Sequence, residues 1–429
     1  MVAKPTRLTI RAYGVGFGDC FLLTFHYPGS SADRHMLIDF GSTQKPPNAR
    51  KDPLMAIARD IASVVGDRLH VLVATHRHAD HINGFTPAPK GKGPDTGDII
   101  AGLKPGLVIQ SWTEKPDAPV NWKGPETPAA RDAAFTTSLA RMQRAAEISA
   151  REAAHLGLAI GDEIEFVGEK ELSNKSAVQN LARMGKKTKA VYVHYGSKLP
   201  TAKLLPGVTI EVLGPPTLHQ KSDIKTQNPE NKSEYWHFHS FWQLRKDTAD
   251  LHARGTALFP RAATYSSITP PQSRWFIGQL KEVRGNQLLR IVRAMDDALN
   301  NTSVILLIKA GKKRLLFPGD AQWENWEYAL GKQAAALRKV DLYKVGHHGS
   351  LNATPKTLWK LLTGTKRPTA KPLHTLLSTR SDSKHGDRER KTEVPRETLL
   401  AALRAGSTLR TTQELEGGSA LALKLSFDL

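Results

Sequence analysis

Val71-Leu72-Val73-Ala74 is a short apolar run, and it passes directly into Thr75-His76-Arg77-His78-Ala79-Asp80-His81. Four side chains of metal-ligand type fall within six residues, at the end of what reads as a buried strand. Alternate residues of an extended segment point the same way. His76 and His78 can therefore face one cation, while Asp80 and His81 turn toward a second beside it. Neutral imidazole with carboxylate suits zinc, manganese or iron(II). A chain with such a run needs a sheet whose strand ends open on a polar rim, where α/β folds tend to build their sites.

The rest of the chain supplies that sheet. Residues 6–13, 20–26 and 35–39 read as strands that lead into Ile38-Asp39-Phe40-Gly41, and 53–65 carries apolar positions at helical spacing. A Pro/Gly/Lys-rich loop, PAPKGKGPDTGD, follows the His-rich run, and an Ala/Arg-rich helix is expected over 128–156. Residues 208–213 alternate as a half-buried strand. From 304 the pattern is strand 304–308, strand 314–317, helix 322–337, strand 341–345, helix 354–362, strand 374–378, helix 396–404 and strand 420–426. Two β-rich halves with helices outside satisfy burial as a four-layer αββα sandwich, an α/β fold.

Three more candidates lie at strand ends. Asp320 closes Leu315-Leu316-Phe317-Pro318-Gly319-Asp320, and His347 and His348 close Lys344-Val345-Gly346-His347-His348-Gly349-Ser350. His385 follows the strand ending at Ser378. His374, at the start of that strand, reads as structural. The single cysteine, Cys20, sits in an apolar strand and reads as a buried thiol, so no internal disulfide can form. Neither a Gly-x-Ser-x-Gly elbow nor a Walker loop is evident.

Charge adds a substrate class. There are 61 Lys plus Arg against 41 Asp plus Glu, a formal net charge of +20. Such a field concentrates polyanions, so nucleic acid fits, as does an anionic membrane surface. Lys170, Lys175, Arg183, Lys186, Lys187, Lys189, Lys198 and Lys203 form a basic stretch that could face substrate, although solvated surface is the ordinary use of such a run. In Tyr235-Trp236-His237-Phe238-His239-Ser240-Phe241-Trp242 the rings are candidates for stacking on bases, packing being the ordinary use. No apolar run approaches the roughly 20 residues that span a bilayer, and the N-terminal residues lack a signal-peptide core, which gives a cytoplasmic expectation.

Thr75-His76-x-His78-x-Asp80-His81 resembles the signature of the metallo-β-lactamase-fold hydrolases. Val15-Gly16-x-Gly18-Asp19-Cys20, Ile38-Asp39-Phe40-Gly41, Leu213-Gly214-Pro215, Asn300-x-x-Ser303, Gly319-Asp320 and His347-His348-Gly349-Ser350 come in the order seen in the hydrolase domain of the competence protein ComEC. The resemblance covers about 5–85, 207–216 and 300–429 of a single domain, 1–429. It leaves 86–206, basic and partly helical, and 217–298, with its aromatic cluster, as insertions.

The resemblance implies two divalent metal ions, zinc or manganese, bridged by a hydroxide that attacks a phosphodiester. The first metal would take His76, His78, Asp320 and one of His347 and His348, with His347 favoured. The other histidine would face the substrate phosphate or donate a proton. The second metal would take Asp80, His81, His385 and the shared Asp320. Asp80, His348 and Asp39 are the catalytic candidates, Asp39 by orienting a ligand through a hydrogen bond. Asn300, Ser303 and Ser350, with Lys186 and Lys187, are the candidate substrate contacts.

The pattern departs from the family at Lys384-His385-Gly386-Asp387, where Gly-His-Pro is usual, and at Asn83-Gly84, where Gly-Gly is usual. The membrane channel that accompanies the ComEC domain has no counterpart, so DNA uptake does not transfer. The implied activity is a phosphodiesterase or nuclease. A hydrolase of small phosphodiesters, nucleotides or lipid head groups is the alternative, and a non-catalytic nucleic-acid or partner-binding protein is a third.

Overall fold

Alternation of apolar side chains sorts the strands into layers. The structure, a computed structural model, describes residues 3–29, 32–47, 49, 52–115, 174–222, 299–352, 354–364, 372–381 and 393–429. In chain order its elements are β1 (Arg7–Tyr13), β2 (Cys20–His26), β3 (Arg34–Phe40), α1 (Pro53–Val65), β4 (Val71–Ala74), α2 (Ala79–Ile82), α3 (Thr96–Gly102), β5 (Val108–Ser111), α4 (Lys175–Lys187) and β6 (Ala190–Val193). The second half holds β7 (Val208–Gly214), β8 (Ile305–Ala310), β9 (Lys313–Phe317), α5 (Trp323–Leu337), β10 (Leu342–Lys344), α6 (Lys356–Thr363), β11 (His374–Leu377), α7 (Glu397–Gly406), β12 (Thr408–Thr411) and β13 (Ala422–Asp428).

Two mixed sheets result, ordered β13-β1-β2-β3-β4-β5-β6 and β12-β11-β10-β9-β8-β7. Each pairs antiparallel hairpins with parallel strands reached by helical crossovers. β1, β2, β3 and β13 are antiparallel, and β3 to β6 run parallel. β7, β8 and β9 are antiparallel, and β9 to β12 run parallel.

The inner faces meet in one apolar layer. Leu8, Ile10 and Ala12 of β1 and Phe21 and Leu23 of β2 pack with Leu306, Ile308, Leu315 and Phe317 from the other sheet. Side chains one residue out of step face outward. Leu22, Leu37 and Leu72 are covered by Ile57 and Ile61 of α1, Ile100 of α3 and Leu181 of α4. Ile305, Leu307 and Leu316 are covered by Trp326 of α5, Leu358 and Leu362 of α6 and Leu399 and Leu403 of α7. The chain is thus an α/β sandwich with helices on both outer faces.

The elements expected from 304 onward appear with ends displaced by at most two residues. The region expected to be a first insertion differs. β5 extends the first sheet beside β4, with Leu72 opposite Val108 and Val73 opposite Ile109, and β6 pairs with β5 in turn. Residues 96–111 and 175–193 therefore belong to the core. Val108-Ile109-Gln110-Ser111 is too short to stand out between turns, and the lysines of α4 mask its buried face of Ala177, Leu181 and Met184. The expected helix 128–156 and the aromatic stretch 235–242 lie outside the described residues.

Leu306 is fully buried in the inter-sheet layer, so Leu306→Ala should cost about 2–5 kcal/mol. Lys424→Ala, on an exposed position of β13, should change stability by less than about 0.5 kcal/mol. Urea titrations of the two variants check the contrast.

Candidate metal centre

Five strand ends converge on one point. The loop after β4 is fixed first. Asp39, the penultimate residue of β3, accepts hydrogen bonds from Thr75 N (2.7 Å) and Thr75 Oγ1 (2.8 Å). Further along the loop, Asp19 N donates to Asp80 O (2.9 Å). Only glycine allows this approach, since a Cβ on Gly41 would stand 2.4 Å from Ala79 O. The same device brings in β9: Gly319 has a φ of +56°, and a Cβ there would meet Thr75 Cβ at 2.8 Å. Asp320 is thereby set against the loop, with its N–H on Ser303 Oγ (3.2 Å).

The turn after β10 completes the set. His347 and His348 have φ values of +42° and +50°, and Asp39 has +55°. Left-handed backbone at a non-glycine residue costs about 1–3 kcal/mol and persists where neighbours over-determine it. Here Ser350 N donates to His347 O (2.8 Å), Arg396 N donates to Gly349 O (2.9 Å), and His347 N donates to Asp320 Oδ1 (3.0 Å).

The side chains so gathered are all buried. His76, His78, Asp80, His81, Asp320 and His348 are each at most 3% exposed. Donor atoms of Asp80, His81, Asp320 and His348 lie within 4.8 Å of one another. His76 and His78 stand beside them, His76 Nε2 3.0 Å from His78 Nδ1 and its ring centroid 4.2 Å from that of His81.

Proton accounting shows what this cluster requires. His348 Nδ1 lies 3.0 Å from Ser378 O, and a carbonyl only accepts, so that nitrogen carries a proton. In the neutral imidazole Nε2 is then a lone pair, yet it lies 2.9 Å from Asp80 Oδ2, another acceptor. His81 repeats the pattern, with Nδ1 2.8 Å from Asp39 Oδ2 and Nε2 3.0 Å from Asp320 Oδ2. Each of these imidazole–carboxylate contacts needs either an extra proton or a cation between its partners.

The electrostatics express the same excess of acceptors. Burial lowers His81, but Asp320, Asp80, Asp39 and Asp19 outweigh it and leave His81 raised well above its ordinary value. His348 is raised against burial by its hydrogen bond to Asp80, with Asp19 and Asp320 contributing. Burial raises Asp320 and Asp80, but the facing imidazoles, with Lys344 for Asp320, hold both below the usual carboxylate range. His76, His78 and His347 are lowered by burial, His78 to about 4.

The structure brings His76, His78, Asp80, His81, Asp320 and Asp39 together. It places His348 rather than His347 in the four-residue group, and leaves His347 half-buried at its side. His385 lies outside the described residues. Asn300 and Ser303 are fully buried, and Ser303 supports Asp320 from behind instead of facing open space. Ser350 is 7% exposed and donates to Asn352 Oδ1 (2.9 Å).

Lys186 and Lys187 are exposed at the C-terminal end of α4. It is the opposite end of that helix that adjoins the loop, through Asn174 Nδ2 on Arg77 O (3.3 Å). Both lysines therefore stand roughly 18 Å away along the helix axis. His374 packs its ring edge-on to Phe427 at 5.3 Å, a structural use. Cys20 is fully buried and its thiol is pushed up by burial.

Asp19, Lys344, Thr75, Ser378 and the Arg77–Glu114 pair belong to this centre and were not among the site candidates. Lys344, 1% exposed, is ion-paired with Asp19. Arg77 Nε lies 3.0 Å from both Glu114 oxygens and ties the His76–His78 loop to the end of β5. The signal for Asp19 and Lys344 was present, because both fall inside glycine-flanked strand-end motifs beside residues that were named. Compared with known proteins, the chain matches no family model and no curated sequence.

A pH profile follows from the two classes of imidazole. His76, His78 and His347 have lowered folded values, so their contribution is present above about pH 6.5 and is lost as pH falls. His81 and His348 have raised values, so their contribution is complete below about pH 6.5 and is lost as pH rises through those values. Metal-free protein should be most stable near pH ~6.5–7 and lose stability on both sides. Zinc should remove the alkaline loss, since ligation needs neutral imidazole. Urea midpoints from about pH 5 to 9, in chelator and in zinc, check this, and a metal-free midpoint still climbing at the alkaline end contradicts it.

Proposed function

We propose that this chain is a metal-dependent phosphodiesterase of the metallo-β-lactamase fold, with two divalent cations, zinc or manganese, held among His76, His78, Asp80, His81, Asp320 and His348. The observation that carries the reading is the buried contact of two imidazole Nε2 atoms with carboxylate oxygens, His348 on Asp80 and His81 on Asp320, each of which needs a second imidazole proton or a cation between its partners. Charge supports it. With His81 and His348 neutral, as ligation requires, Asp19, Asp39, Asp80 and Asp320 face one buried ammonium among the described residues, Lys344, which leaves three negative charges for cations to offset. Two divalent cations would offset these and leave room for one further anion, such as a substrate phosphate.

Bound cations of this kind supply Lewis acidity and a water that loses its proton near neutral pH. The chain's own groups do the rest. Asp39 and Ser378 O each hold the Nδ1 proton of a ligand imidazole, which fixes the tautomer and aims the Nε2 lone pair inward. The His347 N–H and Ser303 hold the Asp320 carboxylate and its backbone in place. His347, outside the four-residue group, remains to face the substrate phosphate. The net charge of +20 points to a nucleic acid as substrate, because such a field draws polyanions.

Purified protein carrying zinc or manganese should hydrolyse bis(4-nitrophenyl) phosphate and labelled single-stranded DNA or RNA. Asp39→Asn should reduce turnover by about 10–100-fold as an orienting partner, and Asp320→Asn by more than that as a ligand. A polymer substrate should bind more weakly as salt rises, with a log–log slope near −0.7 per phosphate neutralised on a single strand. Metal-loaded protein that cleaves no phosphodiester would end the proposal.

A further inference from the structure

Behind the proposed ligands lies a second acidic group. Asp19, Asp39 and His81 place donor atoms within 4.8 Å of one another, all buried. Asp19 Oδ2 is 3.6 Å from His81 Nδ1, and Asp19 Oδ1 is 3.7 Å from His348 Nδ1, so this carboxylate lies beneath both imidazoles. The protons of those two nitrogens already go to Asp39 and Ser378 O, which leaves Asp19 its ion pair with the Lys344 ammonium. Lys344 Nζ also donates to Gly319 O (3.3 Å) and stands 3.5 Å from Asp320 Oδ1. It is held by the residues that hold the cluster.

We propose that Lys344 is a positioning residue, a fixed counter-ion that holds Asp19 under the two imidazoles and lets the acidic cluster stay folded before any metal arrives. A buried carboxylate without a partner is expensive, and a buried pair broken on one side is strongly destabilising. An ammonium delivered by the last residue of β10 avoids both costs and needs no exchangeable ion. It also occupies the space beside Asp19 where a third cation could otherwise sit, which confines exchangeable metal to the proposed ligands. The role in metal selection rests on the metal-centre reading, whereas the pairing of Lys344 with Asp19 does not.

The test uses full-length protein with Lys344→Met, Asp19→Asn and the double variant, each melted in chelator and in saturating zinc. Methionine keeps the length of the stem and removes the charge. In chelator, Lys344→Met should melt lower than the parent by on the order of 5–10 °C. Adding Asp19→Asn to Lys344→Met should recover most of that loss, because the stranded carboxylate is gone. Zinc should raise the melting temperature of Lys344→Met more than that of the parent, since bound cations replace the missing charge.

If Lys344→Met cannot be obtained folded while the double variant can, the proposal is supported. If the double variant melts as low as Lys344→Met, or neither folds, it is overturned. Metal analysis of the parent separates the two readings: a parent that binds no zinc or manganese removes the metal centre, while recovery by Asp19→Asn still decides the role of Lys344.

Discussion

The structure depends on placing four carboxylates and five histidines in a space nearly closed to solvent. An apolar interior tolerates such groups only when every proton and charge is assigned. The assignment is made largely by backbone and by a few fixed donors. Ser378 O takes one imidazole proton, Asp39 takes another, and Thr75 and the His347 N–H occupy carboxylate lone pairs that would otherwise repel. What those donors leave over is two imidazole–carboxylate contacts, His348 Nε2 on Asp80 and His81 Nε2 on Asp320, which a second imidazole proton or a cation must close.

The sandwich explains how chain segments more than two hundred residues apart meet so closely. Both sheets end their central strands on the same rim, so β3, β4, β9, β10 and β11 each contribute the residues just beyond or just inside the last ladder position. Short side chains or none are needed where two strand ends touch, which is the role of Gly41 against Ala79 and of Gly319 against Thr75. Three of the four non-glycine residues with left-handed backbone among the described residues, Asp39, His347 and His348, lie at this rim. The strain is concentrated at the centre, while the β2–β3 and β7–β8 ladders shift register only at Cys20/Phe21 and Val212/Gly214. This division suits a rigid scaffold that must hold a few groups in an unfavourable arrangement.

Sequence reading captured the parts of this arrangement that leave a local trace. The run from His76 to His81, Gly319-Asp320 and His347-His348 each follow an apolar strand, and alternation made those strands visible. β5 and β6 were missed because four-residue strands beside turns and lysines carry little periodicity, and only pairing with β4 defines them. The choice between His347 and His348 was equally out of reach, since adjacent histidines differ only in which one the strained turn aims inward. Ser303 was a candidate substrate contact through the resemblance, but its hydroxyl accepts from Asp320 N instead. Lys344 was read only as part of the strand that leads to His347 and His348. A lysine at the last position of a buried strand has no route to solvent, and burial of that kind implies a dedicated partner.

Interior and exterior carry opposite charge, and the proposed activity needs both. The buried cluster is acidic and would draw cations, whereas the chain as a whole carries +20 and would draw anions. These two fields do not cancel, because a buried charge is poorly screened and acts over a few ångströms, while exposed lysines and arginines act on whatever approaches through solvent. A phosphodiester drawn in by the outer field would reach a centre whose acidity has been reversed by its own cations. An acidic core left without cations would repel the same phosphate. On this view Lys344 offsets part of the acidity that must persist before metal binds, and the remaining acceptors define what the metals must supply.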